Sequence, residues 1–320
     1  MAAGSDYPRT YREFVEMFPD DLACASYLET LRWPDGFKCP KCGVAEPWRQ
    51  TRGRLKCNSC RCHTTPTSGT ILDKTRTPLT TWFEAAWHVT TAKNGLSAKT
   101  LEHTLGVRYR VAWTMLQRFR VAMVRSERER LTGTVEVDEA LIGGVERGGV
   151  RGRGTAKEVV AIAIEVLDPK GFGRLRMRHI ADASGANLVG FVCDIIATGS
   201  EVHTDGWAGY NDLEKFGYAH RKTVLSSSPD PAHVAMPGVH RVPSLLKRRI
   251  LGTHQGSVTP DHLQGYLEEF TFRFNRRTSK NRGLVFRRLL EQAVVTGPVT
   301  EAEVTHGYEW LPQYVEGGGA

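Results

Sequence analysis

Carboxylates and valines alternate in Val135-Glu136-Val137-Asp138-Glu139. A period of two is that of a β-strand with one apolar face, so the acids project from a rigid element. Metal-assisted phosphoryl transfer needs such placement, because the carboxylates that hold the divalent ions must be fixed relative to the reacting phosphate. A second such stretch is Glu201-Val-His-Thr-Asp205-Gly206-Trp207, where Val202 alternates with polar neighbours and Asp205 precedes a glycine. Either stretch alone has a plainer account, since an Asp at a strand end commonly serves a turn.

Cysteine supplies the other chemistry. Two C-x-x-C knuckles, Cys39-Pro-Lys-Cys42-Gly43 and Cys57-Asn-Ser-Cys60, are separated by about 14 residues, a spacing that closes a tetrahedral thiolate site on Zn²⁺. Four thiolates leave no open position for catalysis, so such a zinc is structural. The link between the knuckles (Trp48, Arg49, Arg52, Arg54, Lys56) fits the hairpin of a zinc ribbon. Cys62 could replace Cys60 in the set, and paired-knuckle geometry favours Cys60. Seven cysteines with such clustering indicate metal binding in a reducing compartment rather than disulfides.

Around these residues the chain divides into segments. Residues 1–35 form a helical segment, 36–68 the ribbon, 69–130 a helical DNA-binding region, 131–295 an α/β domain and 296–320 a weakly structured tail. Leu79–Thr91 reads as an aromatic-rich core helix (Trp82, Phe83, Trp87). In 95–120, Ser97 is placed as an N-cap and Gly106 as a left-handed terminator. Val111, Met115, Leu116 and Phe119 line the helix that follows. The pattern is that of a helix-turn-helix whose second helix opens with Arg108, Tyr109 and Arg110 and carries Arg118, groups suited to a major groove. A plain helical hairpin has the same periodicity. Gly143–Lys157 is rich in glycine and arginine, and Arg151 and Arg153 in it suit a phosphate backbone.

Val159–Val166 is nearly continuously apolar, as in a strand buried on both faces, and Arg174–Arg178 alternates. A helix with Leu188, Phe191, Val192, Ile195 and Ile196 on one side precedes the strand that leads to Asp205. Three strands, a helix and a strand is the order of the ribonuclease-H-like fold, which brings Asp138 and Asp205 together. Further on, His240 and Lys247 are nearly two turns apart and share a helix face. Pro243 is tolerated only in a first turn, which places the helix start close to His240. After Thr259-Pro260-Asp261, a strong helix start, Leu263, Tyr266, Leu267, Phe270 and Phe274 form a core stripe. Arg273, Asn275, Arg276, Arg277, Lys280 and Arg282 form a basic patch at its end, and Arg276 and Arg277 in it, with Arg248, are candidate DNA contacts.

The 320 residues carry a formal charge of +8, and the pI of about 9.2 fits an anionic partner, nucleic acid first. No apolar run has the roughly 18–20 residues of a membrane span, and the N-terminus lacks the apolar core of a signal peptide. Membrane and secreted classes are thereby set aside, and a soluble cytoplasmic protein is expected.

Several of these segments together resemble the bacterial insertion-sequence transposases of the DDE superfamily that carry an N-terminal zinc ribbon. They are Arg32-Trp-Pro-Asp-Gly-Phe-Lys-Cys-Pro-Lys-Cys-Gly43, Thr75–Phe83, Val135–Glu139, His203–Trp207, Ser244–Arg248, Gly252–Gly256 and Tyr266–Arg277. The resemblance runs from about Tyr7 to Val295 and implies a multi-domain α+β chain: zinc ribbon, helix-turn-helix and ribonuclease-H-like catalytic domain. It implies an acidic triad binding two Mg²⁺ or Mn²⁺ ions, onto which Asp138 and Asp205 map directly. The third member is usually Glu, with a basic residue seven positions later. Aligning on Ser244-Leu-Leu-Lys247 puts His240 in that place and Lys247 beside bound phosphate, an Asp-Asp-His variant. Glu136 and Glu139 remain the competing choices for third ligand. The implied partners are terminal-repeat DNA, target DNA and at least one further copy of the chain, in the bacterial nucleoid.

Overall fold

A computed structural model describes residues 6–125, 127–144, 157–224, 231–256, 258–306 and 313–315. Arg151 and Arg153 lie outside the described residues. The chain forms two compact units, residues 1–123 with 278–308, and residues 124–277 with 309–320.

In the first unit the helical pattern of residues 8–32 is two helices, α1 (Tyr11–Met17) and α2 (Asp21–Arg32). Pro19 separates them, and Asp20 caps α2 by accepting from the Ala23 N–H at 2.8 Å. The ribbon follows as an antiparallel sheet of β1 (Pro47–Arg49), β2 (Leu55–Cys57) and β3 (His63–Thr64). Next come α3 (Leu79–Thr91), α4 (Ala98–Leu105) and α5 (Tyr109–Ala122). The expected punctuation at the two ends of α4 is present: Ser97 Oγ accepts from the Thr100 N–H, and Gly106 has φ +64°.

The second unit opens with β4 (Glu127–Glu129), then β5 (Thr134–Ile142), β6 (Glu158–Val166), β7 (Phe172–Ile180), α6 (Gly185–Ile195), β8 (Glu201–Thr204) and β9 (Ala219–Lys222). The sheet order is β7-β6-β5-β8-β9, antiparallel from β7 to β5 and parallel from β5 to β9. This is the ribonuclease-H-like order that the sequence pattern predicts. Alternation along β5 sorts its side chains. Val135 and Val137 join a core with α6, whereas Ala140 and Ile142 join a core with the helices that follow. Those are α8 (Pro237–His254) and α9 (Pro260–Phe274), after the short α7 (Ala232–Ala235).

Helix α9 is more than a striped helix. Gln264 and Asn275 turn their amides onto the edge of β7, accepting from the His179 and Leu175 N–H groups at 2.8 and 2.7 Å. An edge strand that would otherwise offer open backbone groups is thus covered. Its acids are also committed. Glu268 pairs with Arg128 of β4 at 2.6 Å, and Glu269 pairs with Arg249 of α8.

The α/β domain is expected to run to residue 295, whereas after Arg277 the chain is part of the first unit. Helix α10 (Arg282–Ala293) is the cause: its Phe286 packs among Phe14, Phe18, Phe83 and Trp87 with ring centroids 5.7–5.9 Å away. The segment expected to be weakly structured includes α11 (Glu301–His306), whose Glu301 pairs with Arg110. It also includes β10 (Gln313–Val315), which pairs parallel with β4. Among the described residues no helix is long and apolar enough to cross a membrane.

Candidate functional site

The ribbon's metal site assembles from both knuckles. Sγ atoms of Cys39, Cys42, Cys57 and Cys60 all lie within 4.8 Å of one another, with Cys39–Cys60 at 3.6 Å and Cys42–Cys57 at 3.5 Å. Tetrahedral Zn–S bonds of about 2.3 Å place sulfurs roughly 3.8 Å apart, so the four thiols fit zinc. Gly43 takes φ +77° after the first knuckle, and Arg61 occupies the same left-handed region after the second at φ 57°. Cys62 is not in the group. Its Sγ lies 3.6 Å from the His63 carbonyl, and the sulfur grouped with Cys39, Cys42 and Cys57 is that of Cys60.

The second site is built where β8 leaves the sheet. Strands β5 and β8 pair in parallel as Thr134↔Glu201, Val135↔Val202 and Glu136↔His203, and then β8 ends. Asp138, still within β5, and Asp205, just past the end of β8, each stand two residues beyond the last of these rows. The loop after Asp205 is fastened at three points. Asp205 Oδ1 accepts from the Trp207 N–H at 2.9 Å, an Asx turn that Gly206 permits with φ +85°. Trp207 Nε1 donates to the Ala183 carbonyl at 3.0 Å, and the Tyr210 hydroxyl donates to Glu139 Oε2 at 3.1 Å. Tyr210 is fully buried. Burial first, then the charges of Glu139, Asp138 and Asp205, pushes its hydroxyl well above the usual phenol range.

The sequence left Glu136 and Glu139 as rivals to His240, and the structure gives both acids other partners. Glu139 receives Tyr210, and buried Glu136 accepts from the Gly238 and Val239 N–H groups at 2.8 and 3.0 Å. Burial raises the Glu136 carboxyl above its ordinary range, opposed by those two N–H groups and by Arg221. His203, in the same motif as Asp205, is also structural. Arg221 donates to Nδ1 at 2.9 Å, which leaves the proton on Nε2 to reach Thr223 Oγ1 at 2.7 Å. Burial, then Arg221 and His220, lowers its pKa to about 4, so the ring is neutral.

His240 sits in the first turns of α8 and is half-buried. The helix starts at Pro237, three residues before the expected position, and Pro243 lies inside it. Pro237 is the proline that occupies the first turn. Lys247 and Arg248 are exposed on the same helix. Asp138, Asp205 and His240 do not all fall within 4.8 Å of one another. Among the described residues the cysteines alone form such a group. The donor set itself, one carboxylate within β5, one just past the end of β8 and one imidazole, is one that Mg²⁺ or Mn²⁺ accepts. Ligands shared between two ions about 4 Å apart need not lie within one ion's reach of each other.

The arginines separate into two groups. Arg108 and Tyr109 are exposed at the start of α5, as expected of groups available to DNA. Arg118 is half-buried and donates to the Ile71 carbonyl at 3.2 Å. The expected basic patch after α9 is largely consumed. Arg273 is buried, Asn275 holds β7, and Arg276 lies over Phe272 at 3.9 Å. Arg277 donates to the Phe172 and Gly173 carbonyls and lies over Phe274. Arg277→Ala is accordingly expected to lower the melting temperature and leave the salt dependence of DNA binding unchanged. Arg108→Ala should leave stability unchanged and flatten the slope of log K against log salt by about 1. Parallel melting curves and salt titrations of the two variants separate these roles.

Residues 130–275 match the family model of an ISXO2-like transposase domain, and residues 19–64 that of a transposase zinc-ribbon domain. Two solved structures with a likeness to the chain are a pre-cleavage Mos1 transpososome and a Mos1 strand transfer complex. They are 10% and 9% identical to it and cover 66% of it, with 76% and 75% of their own chains covered and a TM-score of 0.25 in each case. At that TM-score nothing about this chain follows from the likeness. Comparison with curated proteins gives no match. The two family matches are contributed by separate parts of the chain, and on them residues 130–275 form an ISXO2-like transposase domain and residues 19–64 a transposase zinc ribbon.

Proposed function

We propose that this protein cuts terminal-repeat DNA and joins it to target DNA by divalent-ion-assisted phosphoryl transfer, with Asp138, Asp205 and His240 as the ion-holding residues. The observation that carries this reading is that Asp138 and Asp205 each follow by two residues the last pair of the parallel β5–β8 ladder, on neighbouring strands. Bound Mg²⁺ or Mn²⁺ would supply activation of the attacking oxygen and stabilisation of the leaving one. The chain's own residues supply position and charge. The Asx turn at Asp205 and the Tyr210–Glu139 bond fix the loop that presents the second carboxylate. Lys247, exposed on α8, neutralises phosphate. Imidazole brings no charge and is softer than carboxylate, which favours Mn²⁺ tolerance beside Mg²⁺. The ribbon and the α4–α5 pair hold the DNA ends, with Arg108 and Tyr109 toward the duplex. Joining two ends requires at least two copies of the chain.

The test is incubation of the purified chain with labelled terminal-repeat DNA and a target plasmid in Mg²⁺ or Mn²⁺. A joined product is expected. Cut ends without joining would reduce the protein to a nuclease. Binding without cutting in either ion would leave a DNA-binding protein that has lost its chemistry, the reading that the absent third acid favours.

A further inference from the structure

Helix α8 starts without a cap of its own. Met236 stands at the cap position and makes no side-chain bond there, so the first N–H groups need acceptors from elsewhere. They find one on β5. Glu136 Oε2 accepts from Gly238 N at 2.8 Å and Val239 N at 3.0 Å, and the Glu136 side chain is only 3% exposed. The approach is close. A Cβ at position 238 would lie 2.8 Å from Ile164 Cγ2, 2.9 Å from Glu136 Oε2 and 3.0 Å from Phe172 Cε1. The first turn is also weak from within, because Pro243 has no N–H to give the Val239 carbonyl. His240 is the residue after Val239. Asp138 is the next residue on Glu136's face of β5.

We infer that Glu136 is the positioning residue of the site, a cap supplied by the strand of Asp138 that sets the helix start carrying His240. The inference rests on the reading of His240 as third ion-holding residue. It gives Glu136 a role through His240 rather than as a ligand. One carboxylate, two residues from Asp138, thereby fixes the distance between the first and third members of the set.

The test is calorimetric titration of the zinc-loaded full chain with Mn²⁺, without DNA. Glu136→Ala and Gly238→Ala are expected to weaken Mn²⁺ binding about 10–100-fold, the usual effect of losing a group that orients a ligand. Glu136→Gln keeps an oxygen for both N–H groups and should stay within about threefold of wild type. Excess Mn²⁺ should restore DNA cleavage to Glu136→Ala, which a fold defect would not allow. If Glu136→Ala does not fold, Gly238→Ala and Glu136→Gln carry the same comparison. If Glu136→Gln binds as poorly as Glu136→Ala, charge matters more than the cap, Glu136 is itself a ligand, and the inference is overturned. It is overturned alone if His240→Ala weakens Mn²⁺ binding while Glu136→Ala and Gly238→Ala do not. A wild-type chain that takes up no Mn²⁺, or one indifferent to His240→Ala, overturns the underlying site reading and this inference with it.

Discussion

Removal of zinc, or Cys57→Ser, is expected to unfold the ribbon while the β5–β8 sheet stays folded. The ribbon has almost no other source of cohesion. Its strands are three, three and two residues long, and its core is Phe37 and Leu55 with two of the zinc-binding cysteines, flanked by half-buried Trp33. A sheet of that size does not hold itself together in water. Structural zinc contributes roughly 10–16 kcal/mol of apparent binding energy at pH 7 in isolated fingers, and in such modules binding energy is folding energy. Hydrogen exchange read by mass spectrometry is the direct measurement. Amides of Leu55–Cys57, which pair with β1 and β3, should lose protection on chelation, whereas those of β6, buried in the middle of the larger sheet, should keep it. Retained protection at Leu55–Cys57 without metal would mean that the strands stand alone. Cys62→Ser serves as the control: its sulfur is outside the ligand group, so zinc content should remain one per chain.

What could be read from the sequence is what short-range chemistry writes there. A C-x-x-C knuckle is a local turn, and its ligand spacing survives any tertiary arrangement. Ser97 and Gly106 act within one helical turn of their own positions, so their roles as cap and terminator needed no knowledge of the rest of the chain. Alternation in β5 is equally local, and from it came both the strand and the faces on which Val137 and Asp138 fall.

Long-range partners were not legible. Glu136 looks like any acid on a strand until α8, about a hundred residues later, presents two N–H groups to it. Tyr210 gives one sequence signal, its place five residues after Asp205, but nothing in that spacing names Glu139 as its acceptor. The arginines show the same limit from the other side. Charge suggests that Arg118, Arg276 and Arg277 face DNA, whereas the guanidinium groups of Arg118 and Arg277 satisfy carbonyls of other segments and that of Arg276 bonds the Phe272 carbonyl on its own helix. Composition reports a charge without its direction. Pro243 misled for a related reason. The rule that proline belongs in a first turn is met by Pro237, and the interior proline is accommodated where a strand carboxylate holds the turn before it.

Asp138→Asn and Asp205→Asn are expected to abolish DNA cleavage without disturbing the fold, and the structure says why these substitutions are cleaner than alanine. Asp138 Oδ1 accepts from the Glu139 N–H at 2.8 Å, and Asp205 Oδ1 from the Trp207 N–H at 2.9 Å. An amide oxygen can keep each bond, so the middle of β5 and the Asx turn survive while the charge that holds a divalent ion is gone. The loss should reach at least the roughly 10²–10³-fold that removing a single charge-stabilising group costs in other enzymes. DNA affinity should stay within about threefold of wild type, since phosphate contacts from other residues dominate it. Cleavage by either variant within about tenfold of wild type would be too small an effect for an ion-holding carboxylate, and the site would have to be sought elsewhere. His240 allows the opposite experiment. His240→Glu adds the charge that an imidazole lacks and exchanges a softer donor for a hard one, so it should retain cleavage and shift the preference from Mn²⁺ toward Mg²⁺. If His240→Glu instead leaves the ion preference where it was, the imidazole is not a ligand, and Asp138 and Asp205 must work with a partner outside α8.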